Sequence, residues 1–112
     1  MAKYIVRVEL HGADDPKIYD RLHKAMFDIG FDQFLRPYGD AHESYVLPTA
    51  EYFSDINILS VDEIFEQIKT IAKEINPDKQ FKPYVLLSVL ADIRWDLYQP
   101  EDSEAPWWLS AP

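Results

Sequence analysis

The hydrophobic pattern near the amino end predicts a β-strand. From Tyr4 to Leu10, apolar residues occupy every second position, while Arg7 and Glu9 fall on the opposite side of the chain. Because side chains alternate between the two faces of a strand, this pattern is typical of a strand with one buried face. Its second face is expected to be partly polar.

Two later segments have the apolar spacing of amphipathic helices. The first runs from about Pro16 to Ile29, with an N-cap candidate at Asp15 and a C-terminal stop at Gly30. The second follows Ser60, which forms a capping box with Glu63, and it ends before an Asn-Pro pair. Each helix is expected to bury one stripe of apolar side chains.

The remaining apolar segments predict further strands. Residues 31–38 and 42–53 indicate a β-hairpin, because β-favouring residues flank a Gly-Asp-Ala turn. Pro48 cannot donate a ladder hydrogen bond, so strand pairing should weaken or bulge there. The strongest strand signal runs from Tyr84 to Leu97, and apolar residues such as Leu86 also occupy its second face.

The order of these elements predicts an α+β domain. Strand, helix, strand, strand, helix, strand is the ferredoxin-like β-α-β-β-α-β order, which gives an antiparallel sheet with both helices on one face. Residues 1–99 are expected to form this domain, and residues 100–112 a separate tail. Since two helices cover only one face of the sheet, the other face needs a partner subunit or the tail, and a homodimer meets this need.

Composition limits the chain to one compact domain. It has 112 residues, of which 47% are apolar, enough for a single core. The absence of cysteine excludes disulfides, thiol catalysis and cysteine-ligated zinc. No apolar run approaches the roughly 20 residues of a membrane span, and the first residues lead into a strand and not a signal peptide. We therefore expect a cytoplasmic protein with no membrane partner.

The charge balance is strongly acidic. Twenty acidic residues against eleven basic ones give a net charge of -9, which repels nucleic acid unless the cations cluster or a metal ion intervenes. An acidic surface also attracts basic proteins, including proteins that handle nucleic acid. Solubility alone is the plainer explanation of the same charge.

Familiar catalytic motifs are absent from the sequence. It contains no Walker A loop, dinucleotide fingerprint, His-Glu-x-x-His motif or Gly-x-Ser-x-Gly elbow, and its three glycines are too few for most phosphate-binding loops. The three histidines, His11, His23 and His42, lie in different predicted elements without metal-ligand spacing. His23 is off the apolar stripe of the first helix, so we expect it to be solvated.

Glu9 is the candidate catalytic and metal-binding residue. It ends the first strand, close in sequence to His11, Asp14 and Asp15, and it projects from the face that a dimer would cover. Two symmetry-related Glu9 carboxylates would then hold one divalent cation, magnesium or manganese, for metal-assisted phosphodiester cleavage. The structural alternative is that Glu9 forms an ion pair across the sheet, while Asp14 and Asp15 cap the first helix.

Four residues are candidates for binding RNA. Arg7, Arg36, Tyr38 and Arg94 are expected on one sheet face, where guanidinium groups and an aromatic ring suit phosphates and bases. The same arginines also suit the surplus carboxylates, Glu9 among them, as ion-pair partners. Both uses remain open from the sequence.

The tail combines acidic and aromatic residues, which is typical of a partner-binding segment. Its candidate contacts are Glu101, Asp102, Glu104, Trp107 and Trp108. Two tryptophans are too apolar to leave in water, so they are expected to dock on the domain or on a neighbouring protein. A structural strap over its own domain is the alternative.

Three segments resemble a known family. Residues 4–11, Leu22–Met26 with the following Gly30-Phe31, and Tyr45–Tyr52 are similar to the GhoS-like antitoxins of type V toxin-antitoxin systems, which are small bacterial and phage proteins. These are related in fold to the CRISPR-associated spacer-acquisition nucleases. The resemblance covers about residues 3–95 and excludes the tail.

The resemblance implies a function as well as a fold. It implies a ferredoxin-like, dimeric endoribonuclease of antitoxin type, in which the acidic residue of the nuclease branch falls at Glu9, as glutamate in place of aspartate. An RNA-associated protein with metal-assisted RNA cleavage is therefore one expectation. The other is a noncatalytic acidic interaction protein, phage-encoded in this hypothesis, that binds and inhibits a basic host protein that handles nucleic acid.

Overall fold

A computed structural model describes residues 2–38 and 43–99 of the chain. The candidate tail contacts Glu101, Asp102, Glu104, Trp107 and Trp108, and His42, lie outside the described residues. The elements are β1 (Tyr4–Glu9), α1 (Pro16–Asp28), β2 (Phe34–Leu35), β3 (Tyr45–Val46), β4 (Glu51–Ser54), α2 (Val61–Ile75) and β5 (Tyr84–Val89). The fold is α+β with antiparallel sheets, as the order of the sequence patterns predicted.

β1 is the central strand of a three-stranded antiparallel sheet with the order β4-β1-β5. Val6 lies opposite Tyr52 on one side and opposite Leu87 on the other. β2 and β3 form a second, two-stranded sheet. The two sheets meet at Asp32 and Phe53, whose backbone groups exchange hydrogen bonds of 3.0 and 2.8 Å.

Both helices contribute to the core on the first face of the three-stranded sheet. Leu22 and Met26, one turn apart on α1, are fully buried, as are Ile64 and Ile68 on α2. Val6 and its neighbours on β1 belong to the same cluster. Burial of each such side chain stabilises the fold by about 1.5–3 kcal/mol. In the described ranges, neither helix has the length and apolar character of a membrane span.

The predicted helix ends are confirmed. The Asp15 side chain accepts a hydrogen bond of 3.0 Å from the Lys17 N–H, and Pro16 opens α1. Gly30, just beyond α1, has φ of +90°, which glycine adopts without strain. At α2 the Ser60 hydroxyl accepts from the Glu63 N–H at 3.2 Å. These contacts satisfy backbone groups that a helix terminus leaves unpaired.

β2 and β3 pair as the two predicted hairpin arms, and the second arm breaks after Pro48 as expected. The predicted turn at residues 39–41 lies outside the described residues. Before the break, Leu47 N–H still donates to the Gln33 carbonyl at 3.0 Å, so this arm pairs with the first one. After it, Ala50 takes a positive φ of 66° and the chain turns into β4, which pairs with β1 instead. The proline therefore divides one predicted strand into two, each with a different partner.

The prediction of one strand over Tyr84–Leu97 is wrong beyond Val89. β1 begins at Tyr4, whose partner in β5 is Val89, so the ladder with β1 ends here. Leu90 N–H donates to the Lys3 carbonyl at 2.8 Å, and the chain then leaves the sheet. Alternate side chains at Ile93, Trp95 and Leu97 stay half-buried, which explains why the sequence resembles a strand.

Residues 90–98 cover part of the second face of the sheet. Ile93, Trp95 and Leu97 pack on a second cluster around Leu35, Leu47 and Phe53. The Tyr98 backbone carbonyl then accepts a hydrogen bond of 2.7 Å from the Val46 N–H, which ties this segment to β3. The sequence predicts a partner subunit or the tail as this cover, but the domain's own residues supply it at the Ile5 end of β1. With residues 2–38 and 43–99 alone considered, the end with Arg7 and Glu9 is exposed, and we call it the open end of the second face.

Candidate functional site

Glu9 lies exposed on the open end of the second face. The register places it opposite Tyr84, and Arg7 opposite Leu86 and Glu51. Tyr84 is 56% exposed and Leu86 is 68% exposed, so large apolar side chains border the carboxylate. Within residues 2–38 and 43–99, Glu9 has no ion-pair or hydrogen-bond partner for its side chain.

Arg36 is a structural residue of the second face. Its guanidinium is bonded to Asp32 and, at 3.2 Å, to Asp55, and it lies 5.4 Å from the centre of the Phe53 ring. Burial opposes the charge, but the two carboxylates together raise the pKa of Arg36 above its usual value. The arginine is therefore held in a half-buried network that joins the start of the hairpin to the end of β4.

Arg94 and Tyr38, the other two proposed RNA-binding residues, are exposed. Arg94 lies on the covering segment, residues 90–98, and Tyr38 lies beside it. Arg94 pairs with Asp92, whose pKa this hydrogen bond lowers. Tyr38 is 72% exposed, and its ring meets the edge of Trp95 with 6.0 Å between ring centres. Arg36 and Arg94 thus both pair with aspartates and not with Glu9. Of the four candidate RNA-binding residues, only Arg7 lies close to Glu9 on the open face.

The residues near Glu9 in sequence have separate places in the structure. Asp15 caps α1, and His11 packs its ring against Tyr84, with 4.8 Å between ring centres. Among the described residues, no three histidine or acidic side chains converge as a metal site. One protomer thus offers Glu9 alone, whereas two copies would offer two carboxylates, a ligand set that suits magnesium with water completing the shell.

His23 is partly buried, contrary to the prediction that it is solvated. Its Nδ1 lies 2.7 Å from the Tyr52 hydroxyl, and the two share a hydrogen bond beneath α1. Burial lowers the pKa of His23 although the Asp20 carboxylate raises it, and burial also raises the pKa of Tyr52. Both groups are therefore neutral near pH 7. The pair stabilises the contact between α1 and β4.

A groove between the end of α2 and the start of β5 gathers lysines and aromatic rings. This Lys–aromatic groove has a volume of about 810 Å³, and its lining includes Lys69, Lys73, Lys79, Lys82, Phe81 and Tyr84. Sequence reasoning missed it, because the loop after α2 had no predicted element to carry a site. The available signal was four of the eleven basic residues within positions 69–82.

Comparison of the chain with protein-family models, with curated proteins and with solved structures finds no match.

Proposed function

We propose that this chain is a small RNA-associated protein of ferredoxin-like architecture that acts as a homodimer and cleaves RNA with Glu9. The observation that carries the proposal is the Glu9 carboxylate, which is exposed on the open end of the sheet and has no ion-pair partner among the described residues. Structural carboxylates in this domain, such as Asp32 and Asp55, are paired with an arginine. Glu9 has no such partner in the described part of the chain and lies beside the exposed side chains of Tyr84 and Leu86.

The strand arrangement supports the ferredoxin-like part of the proposal. β5 lies beside β1, β1 lies beside β4, and Asp32 just before β2 bridges to Phe53 of β4. Counting the broken hairpin arm as one strand, the order is last, first, third, second, with antiparallel neighbours throughout. A β-α-β-β-α-β chain with both helices on one face has this order.

The homodimer would form on the open end of the second face. Leu86 and Tyr84 are more than half exposed there, beside Glu9. A two-fold interface uses the same patch on both subunits, so a patch centred on Glu9 places the two carboxylates near each other. The exposed apolar side chains supply the burial that association needs, and Arg7 beside each Glu9 limits their repulsion.

Magnesium or manganese bound between two carboxylates would polarise a phosphate and activate a water molecule. Glu9 of each protomer would hold the cation and take part in orienting the scissile phosphate. Arg7, on the same face, would pair with an adjacent phosphate oxygen. The Tyr84 ring beside Glu9 would limit water at the carboxylate and offer a flat surface to a base.

Cleavage of a broad single-stranded RNA pool tests this function. With magnesium or manganese, the full chain should cleave RNA, and Glu9→Gln should lose the activity while its fold and dimer persist. Glu74→Gln, which removes an exposed carboxylate from α2, is the matched control and should cleave normally. Absence of cleavage by the parent chain, or equal cleavage by Glu9→Gln, would refute the proposal.

A second candidate function is noncatalytic binding of a basic protein. A shallow groove of about 770 Å³ runs along α2. Its lining combines acidic and apolar side chains, among them Asp62, Glu63, Glu66, Ile29, Leu59 and Ile71. Ile58, next to Leu59 in the chain, is 84% exposed. Acidic and apolar groups together suit a basic, nucleic-acid-handling partner. A pull-down with nuclease treatment distinguishes the two functions.

In the second case a basic protein survives nuclease treatment and is lost from the variant Asp62→Lys/Glu66→Lys. The variant Trp107→Ala/Trp108→Ala tests the tail in the same assay. Recovery of RNA that disappears on nuclease treatment would favour the first function instead.

A further inference from the structure

We propose that the Lys–aromatic groove is a binding site for single-stranded nucleic acid. The groove lies between the end of α2 and the start of β5, and of the residues assigned to the Glu9 site it includes Tyr84 alone. Binding there requires neither a dimer nor a metal ion nor cleavage, so this inference stands or falls separately from the function proposed above.

Charge segregation is the first argument. The groove lining contains four lysines against a single acidic residue, Glu66. The rest of the chain has seven basic residues against nineteen acidic ones. A polyanion is therefore repelled by most of the surface and attracted to this groove, because local potentials and not net charge decide where a charged ligand binds.

The lysines differ in what they have available for a ligand. Lys79 Nζ donates to the carbonyls of Lys73 and Glu74 at 2.9 and 3.1 Å, which offsets the negative end of the α2 dipole. Lys69 pairs with Glu66 at 3.2 Å. Within the described part of the chain, the ammonium groups of Lys73 and Lys82 have no partner, so both are free to contact phosphates.

The aromatic rings are the second argument. Phe81 is 59% exposed and Tyr84 is 56% exposed, both beside the lysines. Two large rings exposed at one groove are typical of a surface that another flat group covers. Nucleic-acid bases stack on such rings with little regard to sequence, while cations beside the rings follow the phosphates.

The rings are also held in place before any ligand arrives. Asn76, which is buried, donates from Nδ2 to the Phe81 carbonyl at 2.7 Å and fixes the backbone there, and the Phe81 ring lies 6.0 Å from the His11 ring between centres. The Tyr84 ring meets the His11 ring edge-on, with 4.8 Å between their centres. A site whose stacking surfaces are fixed loses less conformational entropy on binding than a mobile one.

Fluorescence anisotropy with the full chain tests the groove directly. The probe is a labelled 12-nucleotide single-stranded RNA, with DNA of the same length in parallel, in EDTA to prevent cleavage. Binding should weaken with salt, with a log–log slope of about -1.4 when the two free lysines, Lys73 and Lys82, contact phosphates. Lys73→Gln/Lys82→Gln should bind about tenfold more weakly, with a slope shallower by about 1.4.

Matched variants separate the groove from general charge. Lys17→Gln/Lys24→Gln makes the same charge change on exposed positions of α1 and should lose less than about half the affinity. Phe81→Ala should weaken binding about tenfold with an unchanged salt slope, because stacking releases no counterions.

Three results would overturn the proposal. They are absence of RNA and DNA binding at 50 mM salt, equal losses in the groove and α1 lysine variants, and binding of an acidic peptide in place of nucleic acid. For the last, the probe is a labelled peptide with the sequence of residues 100–112. If the parent chain binds this peptide and no nucleic acid, and Lys73→Gln/Lys82→Gln does not bind the peptide, the ligand of the groove is an acidic aromatic segment.

Discussion

Asn76 accepts a hydrogen bond from the His11 backbone N–H through its Oδ1, over a distance of 2.7 Å. The same side chain donates from Nδ2 to the carbonyls of Asp78 and Phe81, so one amide satisfies three backbone groups. Asn76 is 2% exposed and lies just after α2, whereas His11 follows β1. This contact fixes the end of the helix, the end of the strand and the loop between α2 and β5 to one another.

Removal of the Asn76 amide should therefore be costly. Asn76→Ala leaves a donor and two acceptors unpaired in or near the core, so we expect the free energy of unfolding to fall by about 2–4 kcal/mol. Denaturant unfolding measures this. Asn57→Ala is a control, because Asn57 makes two hydrogen bonds at a partly exposed site and should cost about 1 kcal/mol. Equal losses in the two variants would contradict the role assigned to Asn76.

The network around Arg36 should stabilise the fold without taking part in RNA contacts. Arg36→Ala leaves the partly buried carboxylates of Asp32 and Asp55 unpaired, and we expect a loss of about 2–3 kcal/mol in unfolding free energy. Arg94→Ala, at a side chain that is 82% exposed, should leave the unfolding midpoint unchanged. A stable Arg36→Ala variant with weakened RNA binding would return Arg36 to the binding residues.

The covering segment should be part of the folded domain. Trp95 is the apolar anchor of residues 90–98, and Trp95→Ala should lower the free energy of unfolding by about 2–3 kcal/mol. Tyr98→Ala removes a ring that is 87% exposed and keeps the backbone bond to Val46, so it serves as the control. Thermal unfolding of both variants checks this, and an unaffected Trp95→Ala would mean that the cover is dispensable.

Burial of His23 makes stability depend on pH in a defined direction. The pKa of His23 in the folded chain lies below its ordinary value of 6.5, so the unfolded chain binds the proton first as the pH falls. The stability that neutral His23 contributes is present above pH 6.5 and is lost as the pH falls from there through the lower, folded pKa. Protonation in the folded state also places a charge beside the buried Tyr52 hydroxyl.

Unfolding free energies at about pH 7.5 and about pH 5.5 measure this effect. The parent chain should lose more stability between the two values than His23→Gln, which cannot take up the proton. Equal losses in the two proteins would show that other groups dominate the pH dependence.

Local signals predicted the elements well because they act within a few residues. Asp15 and Ser60 cap their helices through bonds two or three residues away, and Gly30 ends α1 through its own backbone freedom. The break after Pro48 follows from the missing N–H. Each of these features depends on neighbours in the sequence, so no tertiary information was needed.

Features that depend on partners distant in the sequence could not be predicted from it. Alternation continues from Val89 to Leu97, but only the register with β1, which ends at the Tyr4–Val89 pair, shows that β5 loses its partner there. His23 is off the apolar stripe of α1, and only Tyr52 of β4 explains its burial. The lysines of the groove lie together because the loop after α2 returns to Tyr84, and this tertiary arrangement is not visible in the sequence.

The central claim is that two Glu9 carboxylates from two protomers form one catalytic site. Subunit mixing tests it most directly: parent chain and Glu9→Gln are unfolded together, refolded in varied ratios and assayed for RNA cleavage with magnesium. If both carboxylates are required, activity should follow the square of the parent fraction, with about a quarter remaining in an equal mixture. Activity in direct proportion to the parent fraction, or no dependence on Glu9, would contradict the claim.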